Sequence, residues 1–213
     1  MRSTVMLVVV LTLVCLISAF ALALVNGLTE DRIAEQKRLA ELRAVEVALP
    51  RDYIECENDP SQDVRTLSDW KEADGAPKKI CVGKKDGKIV GVAFTSKGEG
   101  YGGFITIMMG VDLNGKITGI EILEHLETPG LGANIEKQSF KGQFRGKFRV
   151  GSPDGKLQVV KGRKADKNWE VEALTGATVS PRGIVQALNN GLAMFEKYKE
   201  QILAGGTLEG GAK

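Results

Sequence analysis

The chain has 213 residues, 43% of them apolar and 26% charged, with a formal net charge of +2 and a mean hydropathy near zero. These values fall within the range of ordinary globular proteins and exclude both global disorder and a membrane protein of many spans. A charge so near neutral leaves no electrostatic footprint for nucleic acid: Lys78-Lys79 and Lys84-Lys85 are short runs that read as solvated strand ends and turns.

The average conceals two unlike parts. No charged residue lies between Arg2 and Glu30, and residues 5–25 form a run of 21 interrupted only by Thr12, Cys15 and Ser18. About 20 such residues cross the hydrocarbon core as a helix. A cleaved signal peptide is the rival, with Ala21-Leu22-Ala23 as a small-residue site, but its apolar region is typically about 7 to 15 residues. The length favours a retained span, assigned to residues 5–27 behind a short tail at 1–4. Flanking charges favour a cytoplasmic downstream side, with Arg32, Lys37, Arg38 and Arg43 against Arg2 alone. That count has little force here, because long domains translocate largely regardless of charge.

Residues 28–50 read as a helical stalk, with Thr29 as its cap, Pro50 as its stop and a patchy apolar side of Ile33, Ala40, Leu42, Val45 and Leu49. Residues 51–77 lack a clear period and carry Asn58-Asp59-Pro60 and Asp74-Gly75, so they predict an irregular segment with one short helix around 64–70. From Lys78 the pattern turns to strands. Residues 78–85 and 88–96 are joined by Asp86-Gly87, and 104–113 and 116–126 by Asn114-Gly115, dipeptides that supply the positive φ of tight hairpin turns. These runs predict a twisted, largely antiparallel sheet. Further strands are expected at 148–150, 157–160 and 169–174, with a turn at Asp154-Gly155.

The last long element is a helix. Ser180 is its expected cap and Pro181 its first helical residue, after which Ile184, Leu188, Leu192, Phe195, Tyr198 and Ile202 recur at helical spacing up to Gly205-Gly206. Residues 205–213 are a glycine-rich tail. Outside the span, Cys56 and Cys81 are the two cysteines, with no CxxC pair, which excludes sequence-coded haem attachment and makes a thiolate-held cluster implausible. They could form one disulfide or remain buried free thiols.

Three glycine-containing segments could carry chemistry. Residues 98–103 (GEGYGG) formally satisfy the dinucleotide fingerprint, but a strand-like sequence follows where that motif needs a helix. The alternative is a bend, with Tyr101 placed to pack on a planar ligand or on core. Residues 125–132 (HLETPGLG) make a turn edged by Glu127 and Thr128. Their His125 is the chain's lone histidine, which argues against a multi-histidine metal site and reads as a hydrogen-bonded residue at a strand end. No serine or cysteine sits in a recognisable triad, so hydrolase chemistry has no support. In residues 172–180 (EALTGATVS), hydroxyls at 175, 178 and 180 precede a helix whose N-terminal dipole end and unpaired N–H groups favour an anion, phosphate above all. Taken alone, this loop could equally serve only to cap the helix.

Together these segments resemble a known family. Thr175-Gly176-Ala177-Thr178-Val179-Ser180 is similar to the S/T-G-A-T-x-S/T motif on which a flavin transferase attaches FMN through a phosphoester. Glu127-Thr128-Pro129-Gly130-Leu131-Gly132 is similar to the family's ETPGLG signature, and Gly100-Tyr101-Gly102-Gly103 to its upstream segment. On these motifs the chain resembles the RnfG component of the Rnf ion-translocating electron-transport complex, a relative of the NqrC component of the sodium-pumping NADH:quinone reductase. One position departs: Glu172 stands where the family usually has aspartate.

The resemblance implies an α+β FMN-binding domain over residues 78–204, behind one transmembrane helix. Thr178 would be the covalent attachment point. Tyr101, Glu127, Thr128, Gly130 and Leu131 would line the flavin, and Thr175, Gly176 and Ala177 would surround its phosphate. Glu172 and Ser180 would complete the flavinylation motif, with Ser180 chiefly the helix cap. It also implies a single-pass inner-membrane protein with a cytoplasmic N-terminus and the FMN domain on the periplasmic side. Its partners would be the other membrane and redox components of the complex and, during maturation, the flavin transferase. The expected activity is electron relay within a translocase coupling ferredoxin:NAD electron transfer to ion movement, without independent turnover. The quinone-reductase component, or an anchored non-redox module for a phosphorylated ligand, are the alternatives.

Overall fold

The computed structural model of the chain describes residues 2–71 and 77–204, so the expected tail at 205–213 lies outside the described residues. The chain divides into two compact units, residues 1–40 and 41–213. Helix α1 (Arg2–Ala48) is continuous from the apolar run into the second unit. Among the described residues it is the one helix long and apolar enough to cross a membrane, with a mean hydropathy of 3.0 over its most apolar stretch. At about 1.5 Å per residue, the 21-residue run spans about 30 Å, the thickness of the hydrocarbon core. The Thr12 hydroxyl donates to the Val8 carbonyl (2.9 Å), so it is satisfied within its own helix.

Thr29 does not cap a separate helix. Its hydroxyl donates back to the Val25 carbonyl at 2.9 Å, so the turn continues through it instead of opening. At the other end the expectation holds: α1 closes at Ala48, and Pro50 precedes a single turn, α2 (Arg51–Ile54).

The second unit is built on a five-stranded antiparallel meander, β1 (Val64–Lys71), β2 (Pro77–Lys85), β3 (Lys88–Glu99), β4 (Phe104–Asp112) and β5 (Ile117–Glu124), in spatial order 1-2-3-4-5. The β2–β3 turn has both Asp86 (φ 49) and Gly87 (φ 72) at positive φ, the primed geometry that matches the twist of paired strands. In the longer β4–β5 connection only Gly115 (φ 78) does so.

Alternation along the strands gives the sheet two apolar faces. Ile80, Val82, Phe94, Ile107 and Met109 point to one face, where they pack with Ile184, Leu188, Leu192 and Phe195 of α4 (Val179–Leu203). On the opposite face Ala93 and Met108 meet Ala44, Val45, Ala48 and Leu49 from the end of α1. Gly110 and Gly119 are paired across β4 and β5, and a Cβ at either would run into the α1 backbone at Val47 and Ala48. The absent side chains let the helix backbone approach close enough for the Thr118 hydroxyl to bond the Ala48 carbonyl.

Strand β1 replaces the short helix expected around 64–70. Its period of two is disguised because Arg65 holds an inward position otherwise taken by apolar residues such as Leu67. The guanidinium donates to the Ile202 carbonyl at the end of α4 (3.2 Å), where a cation also meets the negative end of the helix dipole. Trp70 then stacks on Tyr198 (centroids 5.6 Å apart), whose hydroxyl donates to the Asp69 carbonyl.

After β5 comes a compact helical segment that no periodicity announced: a 3-10 turn (Gly132–Glu136), α3 (Gln138–Lys141) and a second 3-10 turn (Gly142–Phe144). Residues 148–150 do not form the expected strand. Positive-φ turns at Gly146 and Gly151 bracket them too closely for a ladder. The remaining strands are short, β6 (Gln158–Val160) and β7 (Glu170–Glu172), and they pair in parallel.

Candidate functional site

Three segments that are distant in sequence converge on a cavity of about 420 Å³ lined by Tyr101, Glu127, Thr128, Leu131, Gly132 and residues 176–180. The first is the β3–β4 connection, closed by a bond from the Gly100 N–H to the Gly103 carbonyl (2.8 Å). The glycine fingerprint therefore joins two strands, as its flanking sequence predicts. The second is the stretch from His125 into the 3-10 turn, where Gly130 turns at φ 76 and the Thr128 carbonyl accepts the N–H groups of Leu131 and Ala133. The third runs from β7 into α4, with Gly176 at φ 79.

Thr178 occupies the position immediately before α4. Its side chain is half-buried, lines the cavity and makes no capping bond to the helix. Ser180 is not the cap. It is the second residue of α4, only 1% exposed, and its hydroxyl donates to Glu127 Oε2. A hydroxyl just ahead of an apolar helical run looks like a cap in sequence only because the carboxylate that captures it lies 53 residues away. Pro181 falls in the first turn, where its missing N–H costs nothing.

Glu127 is the centre of the arrangement. Its Oε1 accepts the N–H groups of Tyr101 (2.8 Å) and Gly102 (3.0 Å), and its own N–H donates to His125 Nδ1 (3.0 Å). With Nδ1 accepting, His125 carries its hydrogen on Nε2, which faces Glu136 Oε1 at 3.0 Å. A Cβ on Gly100 or Gly132 would strike the Glu127 carboxylate, so both positions need glycine for space.

The site is polar at one end and apolar at its rim. The first turn of α4 presents N–H groups that have no partner within the helix, at the positive end of its dipole. At the rim, Tyr101 is 77% exposed and Leu131 and Val179 are about half exposed. A phosphate at the helix start with a planar ring against this rim suits the residues present, so the donor set and the apolar collar fit FMN.

Of the residues expected at the flavin, Tyr101, Glu127, Thr128, Leu131, Gly176, Ala177 and Thr178 meet at the cavity, whereas Gly130 and Thr175 are not among its lining residues. Gly132 and Val179 line it without having been singled out; the former is the last residue of the signature, so its glycine was the available signal. Glu172 stands apart, its carboxylate accepting the Ala165 N–H (3.1 Å) and its own N–H donating to Gln143 (2.8 Å). Cys56 and Cys81 lie in the cluster on the opposite sheet face and are free thiols. Burial pushes the Cys56 thiol up and, reinforced by Glu41, Asp63 and Asp59, takes Cys81 up to about 11.

Comparison with known proteins agrees with this geometry. Residues 2–47 match the family model described as the RnfG N-terminal region, and residues 100–193 match the FMN-binding domain. The chain is 34% identical over 197 residues to the G component of the ion-translocating oxidoreductase complex of Cereibacter sphaeroides, covering 91% of this chain and 85% of that one. It is 30% identical over 194 residues to the G component of the Na(+)-translocating ferredoxin:NAD(+) oxidoreductase complex of Acetobacterium woodii, covering 90% and 91%. The crystal structure of Shewanella oneidensis NqrC shares the fold, with a TM-score of 0.62 at 21% identity, over 80% of this chain and 99% of that one.

Proposed function

The chain belongs to the RnfG family of ion-translocating oxidoreductase complexes, and we propose that it is the membrane-anchored flavoprotein of such an assembly, relaying electrons through FMN joined by a phosphoester to Thr178. The observation that carries this reading is the contrast between hydroxyls. Thr178 reaches the cavity without a capping bond, while Ser180 is buried and already donates to Glu127. Thr175 does not line the cavity. Attachment would exchange a phosphoanhydride for a phosphoester: on a flavin transferase, Thr178 Oγ1 would join the FMN phosphorus as the P–O bond to the nucleotide half of a flavin dinucleotide breaks, the nucleoside monophosphate leaving and the hydroxyl proton passing to solvent.

Around that bond, the start of α4 neutralises the phosphate and Gly176 and Ala177 keep the approach open. Tyr101, Thr128 and Leu131 border the ring. Bound there, the flavin supplies reversible one- or two-electron chemistry, for which the protein needs to provide position and electrostatics but no general base. Glu172, which is not among the residues lining the cavity, suits a residue read by the transferase. We place the N-terminal tail in the cytoplasm and the FMN domain on the periplasmic side, where a covalent link prevents loss of the flavin.

In-gel fluorescence under denaturing conditions tests the attachment. With the transferase co-expressed, the wild type is expected to fluoresce and Thr178→Ala to be dark; a dark wild type would refute the covalent reading. Protease added outside spheroplasts should digest the domain, and protection there would reverse the topology.

A further inference from the structure

Glu127 is 6% exposed, and among the described residues no lysine or arginine pairs with it. Its charge is met by dipoles alone: two consecutive backbone N–H groups from the β3–β4 connection and the hydroxyl of Ser180 in the first turn of α4. Those donors use both carboxylate oxygens, so the group is spent on the protein rather than offered to a ligand. It nevertheless lines the cavity. Removing a buried charge from water without a counter-ion is costly, and here that cost is accepted where two cavity walls meet.

We propose that Glu127 is a positioning residue with two linked effects: it latches the Tyr101 turn to the start of α4, and its uncompensated negative charge lowers the electron affinity of the flavin held beside it. The proposal rests on the FMN reading for its second effect and not for its first. Tyr101 N and Gly102 N bind one oxygen and Ser180 Oγ the other, so the distance from the ring-bordering tyrosine to Thr178 passes through this single side chain. An anion so placed opposes any added electron density in the cavity, because electrostatic work grows as the surroundings become less polar.

The Glu127→Gln variant separates charge from shape. Its amide oxygen can still accept both N–H groups, and its NH2 can donate to Ser180 Oγ, so the latch survives while the charge is gone. The full-length flavinylated protein is titrated against a reference dye. We expect Glu127→Gln to favour reduced flavin at least tenfold over wild type, which is about 30 mV for a two-electron couple. Ser180→Ala, which keeps the charge and removes one compensating dipole, should shift the equilibrium the opposite way. A change below twofold in Glu127→Gln, or the same direction in both variants, would overturn the electrostatic effect. Should Glu127→Gln fail to fold, the Ser180→Ala titration decides alone.

The latch is read without flavin. In a Thr178→Ala background, hydrogen exchange at the Tyr101 and Gly102 amides should accelerate at least tenfold on adding Glu127→Ala and stay within threefold on adding Glu127→Gln. Unchanged exchange in the alanine variant would overturn the latch. Because that measurement needs no cofactor, a wild type found to lack covalent FMN would defeat the site reading and leave the latch decided independently.

Discussion

Glu127 and Glu170 are buried to nearly the same degree, 6% and 5% exposed, yet the domain treats their charges differently. Glu170 receives a bidentate guanidinium, with Arg163 Nη1 at 2.8 Å and Nη2 at 2.5 Å, and Asp166 adds a backbone N–H. Glu127 receives only dipoles. The first carboxylate closes the loop between β6 and β7, where neutralising the charge is the whole task. The second borders the cavity, where a counter-ion would cancel the field and occupy space. Cys81 adds a third treatment: it is half-buried, and desolvation, reinforced by Glu41, Asp63 and Asp59, holds the thiol neutral.

Removing the Glu127 side chain should have the largest effect of the changes that probe this contrast. Glu127→Ala strands two backbone N–H groups and a buried hydroxyl, and a loss of about 3 kcal/mol is expected in chemical denaturation, at about 1 kcal/mol or more per abandoned donor. Glu127→Gln should recover most of it. Next comes Gly132→Ala, whose Cβ would press on both Glu127 and the Ser180 hydroxyl; overpacking of this kind costs about 1–3 kcal/mol, and it should loosen the same amides as Glu127→Ala. If Gly132→Ala proved neutral, the carboxylate would not be as tightly held as its contacts imply.

The Arg163–Glu170 pair offers a pH test. The Arg163 guanidinium, bonded to Glu170, brings its carboxyl down from an ordinary 4.5 to about 2. A carboxylate depressed on folding stabilises the fold above its unfolded value, so this contribution is complete above about pH 4.5 and disappears as the pH falls towards 2. Thermal unfolding of wild type should therefore worsen relative to Glu170→Gln across that interval and run parallel to it at neutral pH. The smallest effect concerns the thiols. Since burial raises both Cys56 and Cys81, alkylation at pH 8 should be much slower in the native domain than in the unfolded chain, with stability unaffected by the reagent on that timescale; rapid native labelling would contradict their burial.

Much of the fold was legible because its signals are local. Asp86-Gly87 carries the backbone conformation its turn needs, and Ile184, Leu188, Leu192 and Phe195 define the buried face of α4 by spacing alone. Strand β1 was hidden because Arg65 takes a core-facing position to reach the end of α4, so the pattern that identifies a strand was broken by a contact 137 residues away. The continuity of α1 through Thr29 was missed for a related reason: the same hydroxyl can cap a helix or bond back into one, and neighbouring residues do not decide between them.

At the site, composition and spacing identified the segments, and the resemblance of their motifs named Thr178. They did not distribute the roles. Ser180 has the chemistry of a cap and becomes the partner of Glu127; Glu127 has the chemistry of a ligand and is consumed by Tyr101, Gly102 and Ser180. Residue order settles what depends on a few consecutive dihedrals or on one face of a helix, because those free energies are local. Which hydroxyl stays free and which carboxylate goes without a cation depend on groups 26 and 53 positions apart, and only folding brings their donors and acceptors within bonding distance.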